Sequence, residues 1–478
     1  MASPSSPSLA AFGPFSQATD LGLVDAPGRT VLDPEAQEFL LASTGAGLAT
    51  ESDACHYLSR QLEGDCILQA LTELPATTEA AASVGLMLRA SLAPLAASLS
   101  VLRLRNGTTS ILLRRQEGGP VEEIRLADRG TDMLQLVRRG AETLVSVARF
   151  GDLFTSRTCH EVDFGPAAYF GLIVAGGSAR FRNVRLVRPA PADFQPYHDY
   201  IGSELELLEI ATGRRRIVHH EDDSLQAPNW TADNRALFCN RNGRIYRFDL
   251  ATRAMTLIDT GDQVKNNNDH AISFDGTMLG ISSGDVSRIY TVPVGGGAPK
   301  LLTPEGPSYF HSWSPDDKYL IFTGGRGGCG PLMNLYRVPA AGGPEERLTN
   351  TPGALDDGSE YSPDGQFIYF NSTRTGRMQL WRMRPDGSAQ EQLTFDSFNN
   401  WFPHLSPDGK SLVFITYGPE IRAEDHPFYK HVYLRQIPVG GGPATVVAYV
   451  YGGQGSMNVN SWSPDSRYIS FVSNSDVL

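Results

Sequence analysis

Ser312-Trp313-Ser314-Pro315-Asp316-Asp317-Lys318-Tyr319-Leu320-Ile321-Phe322 is the stretch on which the fold turns. Proline fixes φ, the aspartate bonds backbone just ahead of it, and the apolar run that follows reads as a strand, so the segment is a hairpin bend with its second arm. The string returns as Ser362-Pro363-Asp364-Gly365, Ser406-Pro407-Asp408-Gly409 and Ser463-Pro464-Asp465-Ser466, each ahead of a similar run. Thr231-Ala232-Asp233-Asn234 and Ser273-Phe274-Asp275-Gly276 are degenerate copies. The six start at 231, 273, 314, 362, 406 and 463, a spacing of 41 to 57 residues.

Working outward, each hairpin is followed by a third strand such as Asn334-Leu335-Tyr336-Arg337-Val338 or Gln379-Leu380-Trp381-Arg382-Met383. A glycine-rich turn then leads to a fourth, ending in Leu348-Thr349 or Leu393-Thr394. Four antiparallel strands per repeat of this length make a propeller blade. The last copy runs out after two strands, while 204–219 offers two strands with no hairpin before them. Joining the two completes a sixth blade and hides both open edges, so the sequence predicts a six-bladed β-propeller over 198–478.

The Trp-Ser-Pro-Asp core, clearest at Trp313–Asp316 and Trp462–Asp465, resembles the TolB-like propeller family. The resemblance implies the fold; propellers of this kind serve as enzymes, peptidase accessory domains and protein-binding modules.

Residues 11–187 carry no such repeat. They show alternating runs at Cys66–Leu71, Val84–Arg89, Ser110–Arg114, Met133–Arg138 and Thr143–Val147, divided by turns such as Arg105-Asn106-Gly107, which predicts a sandwich. Ser91–Ser98 reads as helical. The order of Gly85-Leu86-Met87-Leu88-Arg89, Leu136-Val137-Arg138-Arg139-Gly140, Ala168-Tyr169-Phe170-Gly171-Leu172-Ile173-Val174 and Ala179-Arg180-Phe181-Arg182-Asn183-Val184 is similar to the concanavalin-like jelly rolls attached to carbohydrate enzymes. That resemblance implies either sugar contact or a structural role, including formation of a homo-oligomer. Residues 1–10 read as a disordered N-terminus and 188–197 as a Pro/Ala linker. The expected class is all-β: jelly-roll sandwich, then propeller.

Composition narrows the function. The 478 residues carry 53 acidic and 41 basic side chains, spread along the chain, so the clustered cations of a nucleic-acid binder are absent. The longest apolar stretch, 80–104, is broken by Arg89 and Pro94, so no membrane span is expected. Residues 1–14 have neither a basic nor an apolar signal region, which points to the cytoplasm. Five cysteines without CxxC spacing read as free thiols. No Gly-x-Ser-x-Gly elbow, phosphate loop or dinucleotide fingerprint occurs.

Propeller geometry turns positions into faces. The Ser-Pro-Asp turns share one face; the connections into each innermost strand share the other, with the loops after each second strand. On that second face lie His270, His311, Glu360 and His404, each just ahead of its turn, which predicts convergence at the mouth of the central channel. His270, His311 and His404 are candidate ligands for a divalent metal (Mn, Zn or Ni, with Ca also admitted). Glu360, Asp357, Tyr429, Lys430 and His426 are candidate acid, base and lid residues. Tyr309 and Trp401 would stack on a sugar, and Arg326, Arg377, Asn400, Gln454 and Asn458 would bond its hydroxyls or a carboxylate. The expected function is a carbohydrate-active enzyme of lyase or glycosidase type acting on an oligosaccharide or glycoside. A metal-assisted propeller, as in oligogalacturonate lyases, is a loose architectural parallel. The alternative is a non-catalytic module that binds a glycan or a protein.

Overall fold

Every one of the six turns closes the same way. Ser314 Oγ donates to Asp316 Oδ1 at 2.7 Å, and Ser362, Ser406 and Ser463 reach Asp364, Asp408 and Asp465 at 2.6 Å. Thr231–Asp233 and Ser273–Asp275 do likewise at 2.6 and 2.7 Å. The serine oxygen also accepts the amide of the residue five positions on, as at Tyr319, Phe367, Ser411 and Tyr468, and so fixes where the second strand starts.

The computed structural model describes residues 12–48, 52–75, 82–196, 198–327 and 333–477. The segment 1–10, read as disordered, and Cys329 lie outside them. The repeats form five four-stranded antiparallel sheets, opening at Gln226–Trp230, Asn266–Ile272, Ser308–Trp313, Asp356–Tyr361 and Asn399–Leu405. The sixth sheet joins distant parts of the chain. Tyr468–Asn474 pairs with Ser203–Glu209, from Glu209↔Tyr468 to Ser203↔Asn474, and Ser203–Glu209 pairs in turn with Arg214–Glu221. A bridge from Trp462 to Ile469 supplies its innermost strand. The propeller is therefore six-bladed and closed as the sequence predicts.

Tryptophan indoles pin blade to blade. Trp230 Nε1 donates to Ser461 O, Trp313 Nε1 to Ala271 O and Trp462 Nε1 to His404 O, each at 3.0 Å. Buried apolar sets such as Trp401, Phe402, Val413, Ile415, Val432 and Leu434 fill the spaces between sheets.

The N-terminal part is two seven-stranded antiparallel sheets. One runs Gln17–Leu21, Cys55–Glu63, Ala167–Ala175, Ser83–Arg89, Ser98–Leu104, Thr108–Arg114, Glu122–Arg129; the other runs Thr155–Cys159, Glu142–Ala148, Met133–Arg139, Cys66–Glu73, Gly177–Val187, Glu38–Ser43, Arg29–Asp33. Leu58, Leu86 and Phe170 of the first and Leu41, Leu68, Leu136 and Phe181 of the second share one core. The alternating runs read from the sequence are all strands. Ser91–Ser98 is not helical: it is a bend and turn held by Arg89, whose Nε donates to Ser91 O at 2.8 Å. Cys55, Cys66, Cys159 and Cys239 are free and buried, and burial pushes the Cys55 thiol up to about 12.

The compact units divide at Pro189/Ala190 and again at Asn474/Ser475. Ser475–Leu478, read from the sequence as the end of the propeller, belongs with the first unit, because Val477 is buried in the sandwich core and Ser475 Oγ bonds Leu186 O. Among the described residues no helix is long and apolar enough to cross a membrane.

Candidate functional site

The stretches expected as loops ahead of each turn are the innermost strands themselves. Each breaks register against its neighbour: between Gln226 and Asn229, Asn266 and His270, Phe310 and Ser312, Asp357 and Glu360, and Trp401 and His404. A bulge of this kind keeps the strand paired while re-aiming its side chains. Gly358 has φ of +60°, and a Cβ there would fall 2.2 Å from Asn371 Oδ1, the atom that accepts the Phe402 amide of the next blade at 2.9 Å. Glycine is thus obligatory where Asp357 is presented.

Two clusters result. In the first, His311 Nε2 meets Asp357 Oδ1 at 2.8 Å, and the same oxygen accepts Thr323 Oγ1 at 2.7 Å and the Gly358 amide at 2.8 Å. Burial alone would raise the Asp357 carboxyl, but the bond and charge of His311, the charge of His426 and the Thr323 hydroxyl override it and hold it down to about 2. His311 is raised in return, because the carboxylates of Asp357, Asp269 and Glu360 outweigh its desolvation. Asp269 is pushed up to about 6, by burial first and by the Asp357 charge, against the pull of His311 and a 2.6 Å bond from Asn267 Nδ2. His426 stacks on Trp401 and Phe402 with ring centroids 4.3 and 5.4 Å apart, and desolvation lowers it.

In the second cluster, Glu360 Oε2 meets His404 Nδ1 at 2.6 Å, while Oε1 accepts Asn460 Nδ2 at 2.7 Å and the Leu405 amide at 3.2 Å. His404 Nε2 faces Met457 O at 3.3 Å.

The three histidines expected to hold a metal are engaged to different degrees. Both nitrogens of His404 are engaged, His311 gives one to Asp357, and His270 turns Nδ1 to Asn268 O at 3.1 Å in a fully buried pocket that lowers it to about 4. Among the described residues no group of three or more His, Cys, Asp or Glu is placed to hold a metal ion.

Other expected contacts serve as struts. Arg326 pairs with Glu345 at 2.8 Å and stacks over Phe322 and Tyr336, so it does not face a ligand. Arg377 donates to Pro419 O at 2.9 Å. Asn400 is buried within its blade, bonded to Thr416 and Arg435. Trp401 is wholly buried and offers His426 a platform rather than a sugar. Tyr309 stays half-buried near Ser287 at 3.5 Å. Asn458 ties Gln454 and the Gly455 amide into a turn at 3.0 and 2.8 Å. Tyr429 packs on Phe194 and Phe428, its phenol raised by burial, and lines a separate small cleft with Tyr200, Gln226 and Gln454. Lys430 is exposed.

Asp269, Thr323 and Asn460 were missed. The signal for Asp269 was present: Asn266-Asn267-Asn268-Asp269 is a polar run on an innermost strand, where a buried position needs a reason for its charge. The sign of its shift gives a test. A carboxyl raised from 3.8 to about 6 on folding weakens the fold increasingly as pH climbs through that window, and fully above it. Asp269→Asn is expected to stabilise the protein at neutral pH by about 1–3 kcal/mol, with no gain below the window, in urea melts at both pH values. Asp357 has the opposite sign: its contribution is present above 3.8 and lost as pH falls toward 2.

Comparison with known proteins places this geometry. Residues 311–423 match the model of the TolB beta propeller domain. An uncharacterized protein of Agrobacterium fabrum is 40% identical over 274 residues, 56% of this chain and 92% of its own length. The solved structure of a TolB candidate from Agrobacterium tumefaciens is 38% identical, covers 58% of this chain and 99% of that one, and has a TM-score of 0.55. An oligogalacturonate lyase in complex with manganese is 16% identical over 57% of this chain and 82% of its own, with a TM-score of 0.40. Six blades, the shared turn and the two Agrobacterium relatives agree: through its propeller, the chain belongs to the TolB-like β-propeller family.

Proposed function

We propose that the channel mouth is the substrate site of a carbohydrate-active enzyme that cleaves an oligosaccharide or glycoside by acid–base chemistry. The observation that carries this reading is a pair of neighbouring carboxylates driven apart by their surroundings, Asp357 down to about 2 and Asp269 up to about 6. Such a pair divides the labour of glycoside cleavage. Asp269, protonated in mildly acid solution, donates to the leaving oxygen. Asp357, ionised and held by His311 and Thr323, stabilises the positive charge that develops on the sugar ring. The side chains named here carry the step by themselves. For the first unit the matching proposal is a concanavalin-like jelly roll that contacts sugar or organises a homo-oligomer, supported by its two antiparallel sheets over one core.

Screening glycosides and oligosaccharides for turnover tests the proposal. Asp269→Asn and Asp357→Asn are each expected to lower kcat by roughly 100- to 10,000-fold with the fold intact. The non-catalytic reading is favoured by one observation, the saturated Glu360–His404–Asn460 cluster, in which every nitrogen and oxygen is bonded internally. Binding without turnover in the parent protein would select it.

A further inference from the structure

We infer that the channel mouth selects a sugar carrying a protonated amine over neutral and acidic sugars; the inference rests on the carbohydrate reading above and names its substrate class. One carboxylate oxygen at the mouth is unfilled. Asp357 Oδ1 takes three donors, His311, Thr323 and the Gly358 amide, while Oδ2 takes none among the described residues. That oxygen is not sealed from solvent. A carboxylate oxygen that is nearly buried and lacks a donor is the acceptor an ammonium group fills best, because a charge-assisted bond gains strength as water is excluded.

Carboxylates outnumber cations around this oxygen: Asp269, Asp357, Glu360 and Asp425 stand against His311 and His426. The charges acting most strongly on Asp269, Asp357, His311 and His426 come from one another and from Asp425 and Glu360, and none is a lysine or arginine. The arginines expected to meet a sugar carboxylate are spent within the blades, Arg326 on Glu345 and Arg377 on Pro419 O. An acidic sugar would therefore bring a like charge to Asp357, whose one bonded cation, His311, is already turned to its other oxygen, whereas an amino sugar fills the open one. The His426 ring, laid over Trp401 and Phe402 beside the carboxylates, supplies a flat face of the kind a pyranose covers.

Calorimetry of the full chain with three oligomers of equal length tests this: β-1,4-glucosamine, its fully N-acetylated counterpart and α-1,4-galacturonate, at a mildly acid pH where the amine is charged. The glucosamine oligomer is expected to bind roughly 10- to 100-fold more tightly than either of the others. Asp357→Asn should erase that preference, and Asp425→Asn, an exposed change that spares the fold, should reduce it several-fold. Equal affinity for the amine and its acetylated form, or preference for the galacturonate, would overturn the inference while leaving the carbohydrate reading in place. Binding of a lysine-rich peptide with no binding of any sugar would overturn both.

Discussion

Replacing Glu206 by alanine is expected to destabilise the propeller by about 3–5 kcal/mol, the cost of leaving one member of a buried ion pair without its partner. Glu206 lies on Ser203–Glu209, the strand that closes the ring, and it and Arg215 are 0% and 2% exposed. Arg215 grips it with two nitrogens, at 2.6 and 3.0 Å, and Ser473 Oγ reaches the same carboxylate at 2.5 Å. Arg215 also donates to Tyr449 O in the preceding blade at 2.6 Å and lies over Phe471. One carboxylate thus links three strands of the closing sheet and, through its arginine, the next sheet. The truncation strands a guanidinium in the interior, whereas Glu206→Leu with Arg215→Met removes both charges and should recover most of the loss. The surface pair Glu209–Arg467, at 3.5 Å, is the control, and its removal should change stability by less than about 0.5 kcal/mol. Tryptophan fluorescence during urea unfolding checks all three, since all five tryptophans fall between 230 and 462.

Asp53→Ala should be at least as damaging to the sandwich. Its carboxylate is 1% exposed and is shared by Arg89 Nη1 at 2.9 Å and Arg114 Nη2 at 2.8 Å, both wholly buried. The two arginines also reach backbone, Arg89 to Ser91 O and Arg114 to Gly119 O, so this triad shapes the turns at that end of the sheet. Removing the one anion leaves two cations that desolvation and mutual repulsion both oppose, for a loss of about 3–5 kcal/mol or more. Asp53→Asn keeps the shape without the charge and should fall between. Far-UV circular dichroism and amide exchange in Ser83–Arg89 and Thr108–Arg114 are the readouts, because this unit has no tryptophan.

This pair and this triad also mark the limit of what sequence conveys. The turn from Ser314 to Tyr319 is decided within six residues, so six copies sufficed to give blade count and closure. The strand pattern of the first unit was legible for the same reason, being local alternation. Partnerships were not. Glu360 meets Asn460 a hundred residues later, and Arg326 was assigned to a substrate because Glu345, its real partner, sits beyond a turn. The three histidines differ on a subtler point. His270 and His311 stand three residues before their turns and His404 two, and a bulge intervenes in each strand, so equal-looking positions do not present their side chains alike.

The discontinuity at Asn474/Ser475 makes the completion of both units depend on one short segment. The closing strand and the core residue Val477 lie far along the chain from what they complete: Ser473 reaches Glu206 across 267 residues and Ser475 reaches Leu186 across 289. Until those contacts form, the strand Ser203–Glu209 has one bare edge and the sandwich lacks a core side chain. Contacts of such separation close slowly, so truncation after Arg467 should lower the protease resistance of both units at once.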